Sequence, residues 1–332
     1  MLISIGLSKL FINCLSFMEE QIAILKKTIE ERLLPLVDRD YVFLDLPYHP
    51  NIGDSLIAAA AFKLLKKVPY HCLYSSSVYT FDKRKISPDT LIIFNGGGNF
   101  GDLWRNYSVF RNKVISDYPE NHFLILPQSV SYLDMKNLEE DVRVYSICGK
   151  RMTICARDRE SFVFLEKNFD NNNIVLIPDL AFYTNKSILK TKSGNGRVLF
   201  LKRKDKEFVS NSNYDIVPEN ADIRDWPTME NLLLKLYWKY LQFFKKLKGI
   251  RWYPTSFLHI EDCIWQKIII PYYIRKGIHF VNGYDIVYTT RLHVAILSVL
   301  LNKQVYFFDN SYGKNSALYN TWLLEFPNIK LV

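Results

Sequence analysis

The sequence predicts an α/β fold made of two consecutive α/β units with a cleft between them. Short apolar runs alternate with segments of helical spacing along most of the 332 residues, a pattern typical of parallel sheets covered by helices on both faces. A polar stretch with two glycines, TNKSILKTKSGNG at 184–196, divides this alternation into two series. The length suits two units of ordinary size.

The first series opens with helical spacing over 17–37, which ends near Pro35. Its predicted strands are apolar runs at 41–47, 122–130, 152–157 and 173–179, together with a buried strand that runs into a glycine loop at 90–98. Its further predicted helices lie at 54–68, 104–117, 135–149 and 158–168. Asp54 stands near the start of one of them, where a carboxylate suits the helix dipole.

The second series follows the polar stretch and has the same character. Its predicted strands lie at 197–203, 250–254, 285–290 and 304–309. Its predicted helices lie at 228–248, 260–276, 292–301 and near 315–325. We therefore expect two domains, 1–187 and 194–332, joined by the linker.

The composition indicates a soluble protein with anionic partners. Hydrophobic residues make up 48% and charged residues 23%, and the net charge is +9. This balance favours phosphates, acidic sugars, nucleic acid or an anionic membrane surface, without choosing among them. The five cysteines, with no C-x-x-C, argue against a disulfide framework or a zinc site. We expect reduced core thiols, a cytoplasmic protein and no bound metal.

Two segments bear on membranes. The N-terminal MLISIGLSKLFINCLSFMEEQ carries Lys9 and lacks a clear cleavage site, which argues against a signal peptide, and no apolar stretch is long enough to span a bilayer. It is either a docked amphipathic helix or a membrane-surface helix. Residues 232–254 interleave Lys with Trp, Tyr and Phe, which fits a packed helix with a basic outer face or a membrane-docking helix. No nucleic-acid motif accompanies the charge.

The candidate site residues of the first unit follow its predicted strands, where open α/β sheets bind ligands. PYHPNIGDSLI at 47–57 either forms a ligand-binding turn or is an ordinary capped turn. FNGGGNFGDLW at 94–104 is neither G-x-G-x-x-G nor a Walker loop, but its backbone N–H groups can line a cleft. CARDRES at 155–161 ends a further strand, although Asp158 as a helix cap and two solvated arginines would also explain it. IPDLAF at 177–182 ends another, where Asp179 could also be a helix cap or a partner for one of those arginines. The candidates are Asn51, Gly53, Asp54, Asn95, Gly96, Gly97, Gly98, Asn99, Asp102, Arg157 and Asp179.

The second unit carries its candidates in three stretches. LFLKRKDKEF at 199–208 is either a solvated charged loop or a cleft loop. In TTRLHVAIL at 289–297, Arg291 can fork onto a carboxylate or phosphate, and His293 can transfer a proton near neutral pH. FFDNSYGKNSALYNTW at 307–322 is small, polar and basic, as phosphate-binding loops are. The candidates are Arg203, Lys204, Asp205, Arg291, His293, Ser311, Lys314 and Asn315.

Together these stretches resemble the polysaccharide pyruvyl transferase family, in its bacterial exopolysaccharide branch, over roughly 45–325. The resemblance is carried, in the family's order, by H-x-N-I-G-D-S at 49–55, N-G-G-G-N-F-G-D-L-W at 95–104, L-P-Q-S at 126–129, A-R-D-R-E-S at 156–161, P-D-L-A-F at 178–182, R-K-D-K-E at 203–207, R-L-H at 291–293 and D-N-S-Y-G-K-N at 309–315. The combination is far more specific than any one stretch.

The resemblance implies a GT-B-like fold, with two Rossmann-like domains facing across a cleft, 1–187 on the acceptor side and 194–332 on the donor side. It implies phosphoenolpyruvate as donor, no cofactor, and a glycan or lipid-linked oligosaccharide as acceptor, which would become a pyruvate ketal. Arg291, Leu292 and His293 match the family's donor site. Related sequences often carry an acidic residue where this chain has Thr290.

The chemistry fits a general acid at His293, an anion-binding Arg291 and a base among Asp54, Asp102 and Asp179. Two other functions stay open. A glycosyltransferase of the same fold would bind a nucleotide sugar instead of phosphoenolpyruvate. A non-catalytic subunit of a glycan-assembly complex would tolerate changes at Arg291 and His293.

Overall fold

The computed structural model describes residues 2–192, 194–203, 214–228, 230–247 and 255–332. They form a mixed α/β structure with two sheets, one of seven strands and one of five. Every paired strand in both sheets is parallel to its neighbours. The predicted α/β class with parallel sheets is therefore confirmed.

The first sheet contains the strands β1 to β7. They span Tyr41–Leu44, Cys72–Ser75, Leu91–Phe94, Gly97–Gly101, His122–Ser131, Met152–Ala156 and Asn173–Leu176. Their order is β2-β1-β3-β5-β6-β7, with β4 also paired to β5. Strands β1 and β3 are buried along their whole length, as expected where helices cover both faces of a parallel sheet.

The second sheet contains the strands β8 to β12. They span Val198–Leu201, Asp222–Arg224, Ile286–Thr289, Gln304–Phe307 and Ile329–Leu331. Their order is β12-β11-β10-β8-β9. In each sheet the second strand lies on one side of the first strand, and the strands that follow lie on its other side. This change of side falls between β1 and β3 in the first sheet and between β8 and β10 in the second. The carboxyl ends of strands at such a reversal open a crevice for ligands.

Ten α-helices are assigned among the described residues. Helices α1 to α10 span Leu2–Leu33, Ile52–Leu65, Arg105–Asp117, Met135–Ser146, Arg159–Asn168, Leu232–Leu247, Thr255–Ile264, Ile270–Asn282, Leu292–Leu300 and Lys314–Leu318. A π-helical turn at Trp265–Ile269 joins α7 to α8, and another at Tyr319–Leu323 extends α10. Short 3₁₀ turns occur at Leu34–Leu36, Lys83–Lys85, Gly149–Arg151, Leu180–Tyr183 and Lys186–Ile188.

The predicted elements match the structure except at sheet edges and in the glycine loop. Strands β2, β9 and β12 were not predicted because each is a short edge strand with a weak apolar signal. The strand predicted to run into a glycine loop at 90–98 forms β3, and the glycine loop itself contains the short strand β4, which was not predicted. The strand predicted at 250–254 lies outside the described residues.

The structure bears only in part on the predictions made for the N-terminal segment and for the cysteines. Helix α1 buries Met18, Leu25, Ile29 and Leu33. Only Met18 belongs to the N-terminal segment 1–21, and the side chains of 1–14 lie outside the described residues, so the choice between a docked helix and a membrane-surface helix stays a prediction. The four cysteines with described side chains are free thiols. Cys148 and Cys155 are buried, but Cys72 and Cys263 are exposed. The prediction of core thiols was wrong for the last two, which are placed where a helix or edge strand faces solvent.

One continuous apolar cluster connects the helices that cover the two sheets. Helix α2 of the first sheet packs against α8 and α9, which flank the second. They approach closely at Gly277, where a Cβ would lie 2.6 Å from Cγ2 of Ile52. The absence of a side chain at this position therefore sets the distance between α2 and α8.

We expect Gly277→Ala to lower the free energy of unfolding by about 1–3 kcal/mol, because overpacking against a β-branched side chain outweighs the better helix propensity of Ala. Urea denaturation measures the change. In the double variant with Ile52→Ala the clash disappears, so the two effects should be clearly non-additive. Strictly additive effects would contradict close packing at this contact.

Candidate active site

A cavity of about 400 Å³ lies at the carboxyl ends of the strands where the two sheets reverse their order. Loops that follow β1, β3, β8 and β10 all contribute to its wall. The lining residues are Asp45, Pro47, His49, Pro50, Asn51, Asp54, Asn95, Gly96, Gly97, Gly98, Asn99, Trp104, Tyr107, Arg157, Arg203, Asp225, Trp226, Thr228, Arg291, Leu292, His293 and Lys314. Both sheets thus supply charged groups to one enclosed volume.

The loop after β1 leads directly into α2 and carries a histidine–carboxylate pair. Asn51 caps α2 by accepting the Gly53 N–H at 2.9 Å. His49 Nε2 lies 2.8 Å from Asp54 Oδ2, and the Tyr107 hydroxyl lies 3.3 Å from His49 Nδ1. Burial alone would raise the pKa of Asp54, but the hydrogen bond and charge of His49 outweigh it and hold that pKa below its usual value.

Asp45, the first residue after β1, was not predicted as a site residue. It is 1% exposed, and its backbone has a φ of 63°, in the left-handed region. Arg111 Nη1 donates to Asp45 Oδ2 at 3.1 Å, whereas Oδ1 has no hydrogen-bond partner among the described residues. Burial raises the pKa of Asp45 to about 7 against the opposing charge of Arg111.

The glycine loop after β3 lies against two basic side chains that come from separate parts of the chain. A Cβ at Gly98 would lie 3.0 Å from Arg157 Nη2 and 3.6 Å from Lys314 Nζ. Gly97 has a φ of 144°, a conformation that side chains rarely adopt. Glycine at these positions lets the backbone and both cations face the same space.

Asp179 lies beneath this space, 1% exposed, and contacts both units of the chain. Its Oδ2 accepts a hydrogen bond from Arg157 Nη1 at 2.8 Å and lies 3.3 Å from His293 Nε2. Burial would raise the pKa of Asp179, but the charge and hydrogen bond of His293, together with Arg157, hold it well below its usual range. Asp179 is therefore an ionised support for Arg157 and His293.

His293 begins α9 and lies against the start of α2. A Cβ at Gly53 would be 2.5 Å from His293 Nδ1, so only glycine fits there without moving the ring. With Nε2 directed to Asp179, Nδ1 is the ring nitrogen on the side of Gly53. This close approach gives Gly53 a packing role besides the backbone turn that the sequence suggested.

Arg291 precedes α9 and forms a forked ion pair with Asp225. Its Nε and Nη2 donate to the two carboxylate oxygens at 2.6 and 2.8 Å. The neighbouring Thr290, the position at which the resemblance led us to expect an acid, accepts the Arg203 N–H through its hydroxyl at 3.1 Å. A carboxylate beside Arg291 is therefore present, but it comes from the segment after β9 and not from position 290.

Most residues predicted from the sequence lie in or directly beneath the cavity wall. The lining contains the predicted residues Asn51, Asp54, Asn95, Gly96, Gly97, Gly98, Asn99, Arg157, Arg203, Arg291, Leu292, His293 and Lys314. Gly53 and Asp179 contact His293 from outside the lining. Arg157 is 1% exposed, so the alternative of a solvated arginine does not apply to it, although Asp158 does cap α5 as that alternative expected.

Five predicted residues lie elsewhere or outside the description. Asp102 Oδ2 accepts the backbone N–H groups of Leu133 and Asp134, each at 2.6 Å, which makes it a loop support away from the cavity lining. The Asn315 amide donates to the carbonyls of Thr290 and Phe308. Ser311 is exposed and is not among the lining residues. Lys204 and Asp205 lie outside the described residues.

Several lining residues were missed by sequence reasoning. His49 is the first residue of the H-x-N-I-G-D-S motif. Its spacing of five residues from Asp54 matches neither helix nor strand periodicity, so the sequence did not indicate that the two side chains pair. Asp45, Asp225 and Trp226 occur in ordinary loop sequence, so only the tertiary structure brings them to the cavity. The described residues contain no cluster of His, Cys, Asp and Glu with the arrangement of a metal site.

The chain belongs to the polysaccharide pyruvyl transferase family, whose model matches residues 51–312. It is 30% identical over 316 residues to "Putative pyruvyl transferase EpsO" of Bacillus subtilis, covering 92% of this chain and 94% of the relative. It is 29% identical over 293 residues to "Pyruvyl transferase 1" of Schizosaccharomyces pombe, covering 84% and 69%. The family places this protein among transferases that act on polysaccharides.

A solved structure has the same fold. It is the crystal structure of an uncharacterized protein, KP1_0663, from Klebsiella pneumoniae, with a TM-score of 0.63 and 22% identity over 93% of this chain and 98% of that one. At this identity the likeness concerns the fold alone.

The raised pKa of Asp45 predicts a specific pH dependence of stability. A carboxyl that titrates near pH 7 when folded and near 3.8 when unfolded stabilises the fold fully below pH 3.8, and this contribution is lost as pH rises through 7. From pH 5.5 to 8 the wild type should lose about 2 kcal/mol more unfolding free energy than Asp45→Asn. Urea denaturation at both pH values measures it. An equal loss in both proteins would show that Asp45 titrates normally.

Proposed function

We propose that this protein transfers the pyruvyl group of phosphoenolpyruvate to two hydroxyls of one sugar, which forms a pyruvate ketal. The observation that carries the proposal is the cation set of the cavity: Arg157 and Lys314 meet over Gly98, and Arg291 and His293 line the same volume. Phosphoenolpyruvate has a phosphate and a carboxylate. Arginine forks suit both groups, and a lysine adds a point charge.

His293 is the proposed general acid. Asp179 lies 3.3 Å from its Nε2 and orients the ring, and in this proposal the imidazole delivers a proton to C3 of the enol. C2 then becomes electrophilic, an acceptor hydroxyl adds to it, phosphate leaves, and the second hydroxyl closes the ketal. The two hydroxyl protons replace the one placed on C3 and the one that the departing phosphate takes up.

The acceptor in this proposal is a sugar of an exopolysaccharide or capsule, or of its lipid-linked precursor. We propose that 1–187 form the acceptor side and 194–332 the donor side of a GT-B-like cleft. In support, the donor-site motif R-L-H lies at the β10–α9 junction, whereas the wall formed after β1 and β3 comes from the first sheet. No cofactor or metal is needed for the steps above.

The test is calorimetry of purified protein with phosphoenolpyruvate and, separately, with UDP-, GDP- and CMP-sugars. We expect saturable phosphoenolpyruvate binding that weakens at least about tenfold in Arg291→Ala, because a desolvated charged hydrogen-bond pair is lost. Arg224→Ala is the matched control, since Arg224 is half exposed, pairs with Glu230 and does not line the cavity. Binding of a nucleotide sugar alone would make the protein a glycosyltransferase.

The non-catalytic alternative makes a different prediction in cells. If the protein only assembles a glycan-synthesis complex, Arg291→Ala and His293→Ala should support polysaccharide pyruvylation as well as the wild type does. Loss of the ketal in both variants at normal protein levels favours catalysis.

We further propose that the protein docks on the cytoplasmic face of a membrane through α6. None of the described helices is long and apolar enough to cross a bilayer. Helix α6 exposes Leu232, Leu233 and Leu236, and Lys235 and Lys239 accompany them on the exposed surface. Apolar side chains beside lysines fit an anionic membrane surface that presents a lipid-linked acceptor.

Flotation with anionic liposomes tests this docking. We expect the wild type to float and a Leu232→Ser/Leu233→Ser variant to remain in the soluble fraction, because about 1.5–3 kcal/mol of apolar burial is lost per leucine. Leu133→Ser is the matched control, since Leu133 is also highly exposed, at 82%, but lies beside α4. Equal flotation of both variants would exclude α6 as the docking surface.

A further inference from the structure

The cavity contains two histidine–carboxylate pairs, and the proposed reaction so far uses one. His293 is held by Asp179, and His49 is held by Asp54 at 2.8 Å. In the second pair, His49 lies in the loop after β1 and Asp54 in the first turn of α2. Asp54 directly follows Gly53, the residue that contacts His293. The two histidines therefore both lie beside the first turn of α2.

The bonding of His49 determines which of its nitrogens can act. The pKa of Asp54 lies below its usual value in spite of burial, so the carboxylate is ionised and can only accept a hydrogen bond. His49 Nε2 must then carry a hydrogen, and in the neutral ring Nδ1 is a hydrogen-bond acceptor. The structure directs the Tyr107 hydroxyl to that nitrogen at 3.3 Å, a long contact that a substrate hydroxyl can replace.

We propose that His49 is the catalytic base that removes the proton from the acceptor hydroxyl, with Asp54 as its positioning residue. This inference rests on the proposed function and assigns the base that the sequence left open among three aspartates. Of those three, Asp102 binds two backbone N–H groups and Asp179 binds Arg157 and His293. Asp54 lines the cavity and, in this proposal, acts through His49.

The proton balance closes with these two histidines. As the first acceptor oxygen bonds to C2, its proton passes to His49 Nδ1, while His293 has placed a proton on C3. The bond from C2 to the phosphate oxygen breaks, the second hydroxyl oxygen bonds to C2, and its proton leaves with phosphate. The proton held by His49 returns through solvent and restores the charge of His293.

Titratable and charged groups face His49 from several elements. Asp54 faces it from α2, Tyr107 from α3 and Asp45 from the end of β1, with Arg111 behind Asp45. Since the base must be neutral, the rate should fall on the acid side of the pH profile, and that limb should disappear without His49.

The experiment compares His49→Ala with His71→Ala. His71 is a matched control because it also faces a carboxylate, Asp40 at 3.5 Å, but is 84% exposed at the surface. Calorimetry gives phosphoenolpyruvate affinity, and phosphate release with a panel of p-nitrophenyl pyranosides gives kcat. We expect His49→Ala to keep its phosphoenolpyruvate affinity within about threefold and to lose kcat by about 10²–10⁴-fold.

Rescue distinguishes a base from a structural residue. Added imidazole should restore part of the kcat of His49→Ala, more at pH 8 than at pH 6, and should not change His71→Ala. Unchanged kcat in His49→Ala, loss of its phosphoenolpyruvate binding, or no rescue of a folded variant would overturn the assignment. A wild type that neither binds phosphoenolpyruvate nor releases phosphate would instead refute the proposed function.

Discussion

The rest of the site depends on the contacts that the buried carboxylate of Asp179 makes with Arg157 and His293. Asp179 follows β7 of the first sheet, yet it bonds both Arg157 after β6 and His293 at the start of α9. A buried charge is stable only with partners, so each of the three groups fixes the others. The carboxylate thereby joins an arginine of the first sheet to the histidine of the second.

Glycines allow the remaining groups to reach the same volume. Gly53 makes room for the ring of His293, and Gly98 makes room for Arg157 and Lys314. The site therefore combines the ionised Asp179, several basic side chains and a separate His49–Asp54 pair. Such fixed charges stabilise developing charge without reorganisation, which is how polar active sites accelerate reactions.

The sequence contained enough information for the fold class and for most of the cavity wall. Buried strands such as β3 and β10 are strong apolar runs, and loops after parallel strands of one sheet converge at one edge, so Asn51 and Asn95 could be placed together. Asp45 and Asp225 could not be predicted, because a lone aspartate in a loop has no periodicity and its partner lies far away in sequence. The left-handed backbone of Asp45 and the fork between Asp225 and Arg291 are products of tertiary packing.

The most direct test of the central claim is a crystal structure of the protein with phosphoenolpyruvate bound. We expect one anionic group over Gly98 within hydrogen-bond distance of Arg157 and Lys314, the other near Arg291, and C3 facing His293. Phosphoenolpyruvate bound away from these four side chains would contradict the proposed donor site and the role of His293 as the acid.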